Sequence, residues 1–277
     1  MQEFDNNKVP IKKLWQVIMA SSVGTVIEWY DFYIFGSLSA IISLSFFPKE
    51  DPTAAFISTL AAFGAGFVAR PFGGVLFGRL GDLIGRKYTF LLTLLLMGGS
   101  TFAIAFIPSY EKIGLVAPAV LLALRIIQGL ALGGEYGGAA TYVAEYAPDA
   151  ERGKYTSYIQ TTATLGFFVS ILVILATQQL LGDAAFKDWG WRVPFALSGI
   201  LVVVSYFIRR NMDESPLFSK LKVEGRLSEN PLKEAFASKA NRRLMLIAMF
   251  GAIVGQGVVW HTGQFYAQIF INKILKV

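Results

Sequence analysis

Long uncharged runs alternate with short charged ones along this chain. Between Tyr88 and Pro108, and again between Tyr155 and Gly182, there is no Asp, Glu, Lys, Arg or His. Runs beyond about 18 apolar residues can cross a bilayer as helices, and helices satisfy every backbone group internally where lipid offers no partner. The pattern predicts seven helical spans, at roughly 15–45, 53–77, 88–107, 115–146, 155–181, 192–209 and 244–271. Turn-forming or charged stretches separate them: FFPKEDP, the loop FGRLGDLIGRKYTF, IPSYEKIG, APDAERGK, LGDAAFKDWG and a long polar segment. The expected class is an all-α membrane protein. Its parts are a terminus at 1–14, six helices in 15–209, a polar link at 210–243 and a seventh helix in 244–277.

Composition agrees with that pattern. Of the 277 residues, 54% are hydrophobic and 16% charged, against about a quarter charged in a soluble domain. The absence of cysteine excludes disulfides, thiolate metal sites and a cysteine nucleophile. The opening MQEFDNNKVPIKKLW leads into an apolar segment that contains Glu28 and Asp31 and lacks a small-residue cleavage site, so it is read as a retained first span. A net charge of +6 would suit nucleic acid, but its distribution has a membrane explanation. Seventeen Lys and Arg fall on one side of the predicted spans, nine of them in 209–243. Six fall on the other: Lys49, Lys112, Lys187, Arg192, Lys273 and Lys276. Short loops rich in Lys and Arg stay cytoplasmic, which puts the N-terminus inside.

Orientation explains the charge of the FGRLGDLIGRKYTF loop but not its glycines. Gly78, Gly81 and Gly85 let two helix ends approach, and Asp82 can accept hydrogen bonds from an Arg or a helix N-terminus. Ionisable residues at bilayer depth are functional candidates. Glu28 and Asp31 are three apart and share a helix face. In the fourth span Arg125, Gln128 and Glu135 lie on one stripe, with Gln128 and Glu135 about 20° apart. That stripe describes a cavity wall, with Tyr136 and Tyr142 offering hydroxyls, or else an internal Arg125–Glu135 pair locking helices together. Gly129/Gly133 and Gly134/Gly138 allow close helix contact. Arg70 either reaches toward headgroups or contacts a ligand. In the seventh span Gln256, Trp260, His261 and Gln264 form a polar stripe, and His261 is the sole histidine.

The form G-x-x-x-D-x-x-G-R-K, Gly78 to Lys87, resembles the signature between the second and third spans of the major facilitator superfamily. With EWYDFYIFG, ARPFGG, RIIQGLALGGEYGGAATYVAEYAP, RGKYTSYIQTTATLGFF, WGWRVPFALSGI and RRNMDESPLF, the chain resembles the metabolite:proton symporter family within it. That family includes transporters of shikimate, 2-oxoglutarate, citrate and proline/betaine. The resemblance implies the major facilitator fold: two six-helix bundles, each of two inverted three-helix repeats (here about 15–107 and 115–209), with the substrate site between bundles.

It also implies proton-driven uptake of a small carboxylate or zwitterionic metabolite by alternating access in the inner or plasma membrane. Glu28, Asp31 and Glu135 are then proton-coupling candidates. Substrate-binding candidates are Arg125, Gln128, Tyr136, Tyr142, Arg70 and Gln256, since a guanidinium fork suits a carboxylate. Gating falls to Gly78, Asp82, Gly85, Arg86 and Lys87. No proline in TTATLGFFVS matches the antiporter pattern, which favours symport.

The family pattern has twelve spans, and the second bundle is missing after the seventh, so the expected alternative is a non-transporting fragment of such a transporter. An enzyme is not expected: no G-x-S-G motif occurs to present a serine nucleophile, His261 is the one histidine, and no metal site assembles from one His. The partners expected are a small metabolite, the proton and the lipid bilayer, without cofactor, metal or nucleic acid.

Overall fold

The computed structural model describes residues 10–266 and 270. The chain divides into two compact units at Leu227, inside the 210–243 segment. In the first unit the long helices are α1 (Ile11–Ser37), α2 (Ser39–Phe46), α3 (Pro52–Ile84), α4 (Arg86–Ile104), α5 (Val116–Tyr146), α6 (Arg152–Leu181) and α7 (Arg192–Arg210). A short helix, α8 (Pro216–Val223), follows and buries Phe218.

Local chemistry sets the ends. Asp51 caps α3, its carboxylate accepting from the amides of Thr53 and Ala54 at 3.0 Å, with Pro52 at the first helical position. Gly182, at φ 77°, stops α6 in a backbone conformation that side chains disfavour. The first predicted span is interrupted at Leu38, between α1 and α2. The larger correction concerns the charged loop after the second span. Residues 78–84 remain helical, and the whole connection between α3 and α4 is one residue, Gly85, at φ 108°.

Among the described residues, six helices are long and apolar enough to cross a membrane: α3, α4, α5, the segment Asp149–Leu181, α7, and Lys239–Val259 in the second unit. By that measure α1 falls short, because Glu28 and Asp31 lower its hydropathy; both are buried inside the bundle.

The six-helix core pairs α3 with α5, α1 with α6 and α4 with α7, and adds α4 with α5 and α1 with α7. This pattern is unchanged when α1, α3 and α4 are exchanged for α5, α6 and α7, as a bundle of two three-helix repeats requires. Glycines permit the closest contact. A Cβ on Gly129 would run into the backbone of Gly66, and one on Gly133 into that of Arg70, so α3 and α5 pack backbone to backbone.

The second unit holds α9 (Pro231–Ala237), α10 (Lys239–Ile247) and α11 (Val254–His261). Asn230 and Ser238 cap α9 and α10 by accepting from the amides of Lys233 and Asn241.

Candidate functional site

Charged and polar side chains inside the first unit form three groups. The first is a triad that sequence reasoning did not assemble. Arg209, near the end of α7, donates from Nη2 to Glu28 Oε1 at 3.1 Å and forms an ion pair with Glu135. Its Nη1 donates to the Phe90 carbonyl at 3.0 Å, and Thr93 donates its hydroxyl to Glu135. Glu28, Glu135 and Arg209 are each 2% exposed or less. Gly24 makes the approach of α1 possible: a Cβ there would stand 2.6 Å from the guanidinium carbon of Arg209. Glu28 Oε2 has no hydrogen-bond partner among the described residues.

Glu135 thus pairs with Arg209, which rules out the alternative of an internal Arg125–Glu135 pair and buries an arginine that the charge count placed among the basic residues of 209–243. An arginine next to Arg210 and RNMDESP reads as the aqueous end of a span. The partners that draw it inward come from α1 and α5, far away in sequence.

The second group surrounds Arg125. Its Nη1 donates to Gln128 Oε1 at 2.7 Å, and Gln128 Nε2 donates to Thr101 Oγ1 at 2.7 Å. Thr101 also lies against Asp31, which accepts from the Ser198 hydroxyl and keeps Oδ2 without a hydrogen-bond partner. So Arg125 and Gln128 stay together as predicted, while Glu135 on the same stripe belongs to the other group. The Arg125 guanidinium lies 4.2 Å from the Phe35 ring centre and 4.9 Å from that of Phe63. Arg70 sits 4.2 Å over Phe67 and 4.6 Å over Phe32. No carboxylate lies within ion-pair reach of Arg70 or Arg125 among the described residues. Ring faces attract cations through their quadrupole but do not neutralise them.

The third group joins helix ends. Arg86 bonds Glu145 through Nη2 at 2.9 Å and through Nε at 3.2 Å, with Asp82 at 3.7 Å. Glu214 accepts from the amides of Arg86 at 3.0 Å and Lys87 at 3.3 Å, capping the start of α4 just after Gly85. Ser215 donates to Glu145. Gly78 and Gly81 face a cavity of about 380 Å³ that Asp82 and Arg86 also line. Glu145, Glu214 and Ser215 were missed by sequence reasoning, although 214 and 215 lie in the quoted RRNMDESPLF.

The tyrosines do not join Arg125. Tyr142 donates to the Asp213 carbonyl at 2.5 Å and Tyr146 to that of Glu214 at 3.0 Å, fastening α5 to the end of α7. Tyr136 donates to Gln160 on α6. Nearby, a hydrogen bond to Asp213 at 2.9 Å holds Lys13 above the ordinary lysine range. Gln256 is exposed in the second unit. The side chains of Trp260, His261 and Gln264, and the positions Lys8, Lys273 and Lys276, lie outside the described residues.

Comparisons agree with this architecture. The profile of the family described as "Sugar (and other) transporter" matches residues 16–241. The inner membrane metabolite transport protein YhjE of Escherichia coli K12 is 44% identical over 220 residues, which is 79% of this chain and 50% of that protein. The alpha-ketoglutarate permease of the same organism is 38% identical over 94% of this chain and 58% of its own length. Its proline/betaine transporter is 39% identical over 75% of this chain and 42% of its own length. This chain thus spans about half the length of these relatives. An inward-open structure of the xylose transporter XylE from Escherichia coli superposes with a TM-score of 0.65 at 19% identity, over 89% of this chain and 58% of XylE. The likeness to XylE is one of fold.

Proposed function

This chain belongs to the sugar (and other) transporter family, within the major facilitator superfamily, and we propose that it supplies one wall of a proton-coupled symporter for a small carboxylate or zwitterionic metabolite. It is a multi-pass membrane protein by its helices and its family. The observation that carries the substrate reading is the pair Arg70 and Arg125, guanidinium groups held on aromatic faces without a carboxylate partner among the described residues. Cations left uncompensated at such depth call for an anionic group from elsewhere. Two of the relatives are named for carboxylate-bearing substrates, 2-oxoglutarate and proline or betaine.

Proton coupling falls to the triad. Glu28 and Glu135 share one arginine, so two carboxylates and one guanidinium leave a single negative charge, and one proton neutralises it. Asp31 sits apart on Ser198 and is the second candidate. The Asp82–Arg86–Glu145 group gates: it ties the ends of α3, α4 and α5 in one conformational state and releases them in another. The polar ends carrying Lys13, Arg86 and Arg152 face the cytoplasm, with 210–243 as the link between bundles and 244–277 as the start of the second.

The test uses a protein that contains this segment together with a second bundle. Arg125→Lys should weaken binding of 2-oxoglutarate or proline, because an ammonium does not reproduce the planar fork. Glu135→Gln should abolish accumulation against a gradient while exchange persists. Unchanged affinity in the first, with intact proton-dependent accumulation in the second, would leave both groups as internal scaffolding. Reporters fused after residues 225 and 186 should lie inside and outside respectively, and the opposite result would reverse the orientation.

A further inference from the structure

The basic residues on the side opposite the Arg86 cluster have no role so far. In the first unit there are four, Lys49, Lys112, Lys187 and Arg192. They come from three separate connections, and all four line one cavity of about 780 Å³ at that end of the bundle. Glu111 and Asp188 are the acidic residues lining it, so the wall carries a net charge of +2. Neither topology nor ion pairing accounts for the convergence. Basic residues are disfavoured on a translocated face, and most of these are not neutralised. Among the described residues Lys49 alone of the four is paired, with Glu111 at 2.5 Å, and that hydrogen bond holds Glu111 below the ordinary carboxylate range. Arg192 spends its Nη1 on the Ala105 and Ile107 carbonyls, at 3.0 and 2.7 Å, and lies 4.6 Å over Trp191, so it is held rigidly with its charge unmatched. Lys112 and Lys187 have no side-chain partner among the described residues.

We propose that this vestibule is a second, peripheral anion-binding site, taking the oxyanion of a small carboxylate or phosphate against Lys112, Lys187 and Arg192. Its size suits a small organic anion or a lipid headgroup, and the apolar side formed by Ile41, Leu44 and Phe47 accepts the carbon skeleton attached to either. Glu111 acts as the internal competitor that keeps Lys49 out of the ligand shell. The site is independent of the central pair Arg70 and Arg125.

The test is calorimetric titration of the whole 277-residue chain in an uncharged detergent with succinate, inorganic phosphate and dioctanoyl phosphatidylglycerol. Lys112→Gln/Lys187→Gln should weaken binding by about tenfold or more, and Glu111→Gln, which frees Lys49, should tighten it by about threefold. Lys154→Gln/Lys222→Gln, which removes as much charge elsewhere, should change nothing. A response confined to succinate or phosphate identifies a soluble anion, and one confined to the phosphatidylglycerol identifies a headgroup. The proposal falls if no probe binds saturably, or if the lysine pair can be removed without loss. It also falls if the control variant weakens binding equally, or if binding responds to Arg125→Lys and not to the vestibule variants. That last outcome leaves the central-site reading standing.

Discussion

Arg209→Met in the 277-residue chain isolates the buried triad from any question of transport. Arg209 is the cation paired with both Glu28 and Glu135, and all three side chains are out of reach of water. Removing it leaves two buried carboxylates uncompensated. Breaking a buried pair by deleting one partner costs about 3–5 kcal/mol, since the remaining charge keeps its desolvation penalty. For a helical unit of this size about 1 kcal/mol moves the melting point by roughly 2–4 °C, so the single variant should melt about 10 °C lower, followed by far-UV circular dichroism in detergent. The companion variant Glu28→Gln/Glu135→Gln/Arg209→Met removes the charges together. Replacing a whole buried ionic group by neutral residues is often neutral or stabilising, so most of the loss should return. The coupling is read from the cycle that joins parent, single, carboxylate-double and triple variants. An Arg209→Met protein that melts within about 2 °C of the parent refutes the burial argument. A triple variant no more stable than the single refutes the charge argument and leaves only packing.

Three further outcomes follow from particular contacts. Gly85→Ala should cost at least about 1 kcal/mol in the same melting assay, because φ is 108° there and the new Cβ would run into the Glu214 carboxylate; no change would contradict the tight one-residue connection between α3 and α4. Gly133→Val should cost about 1–3 kcal/mol or prevent folding, since the added atoms meet the Arg70 backbone, and an unaffected melting point would contradict the α3–α5 contact. The Lys13–Asp213 bridge is largely exposed and contributes no more than about 1 kcal/mol. The lysine value is raised in the folded chain, so this contribution is complete below the ordinary lysine pKa of about 10.4 and disappears as pH rises through the folded value. The small melting difference between parent and Lys13→Met should therefore be present at neutral pH and vanish at strongly alkaline pH, and a difference that persists there would assign it to packing.

Hydrophobic runs determined what a local property can determine: that the chain is helical, that it lives in a bilayer, and where the helices from Tyr88 to Arg209 begin and end to within a few residues. The glycine spacing of the fourth span foretold a tight helix contact, because small residues four apart form one groove whatever meets it. It did not say that α3 is the partner. Local pattern failed at the charged loop, where polarity suggested coil although the backbone stays helical as far as Gly85. A helix that runs past its membrane depth simply meets water and is free to carry charges.

Which charge meets which was decided only in three dimensions. Glu28, Glu135 and Arg209 lie on α1, α5 and α7, and their separations in sequence carry no periodicity that a helix face can express. The stripe of Arg125, Gln128 and Glu135 was correctly placed on one face of α5, yet the face divides, because Arg209 enters from α7 beside Glu135 while Phe35 and Phe63 enclose Arg125. A buried charge takes the partner that the packing of other helices brings within reach. That choice depends on how helices far apart in sequence are docked, and no window of the chain contains it.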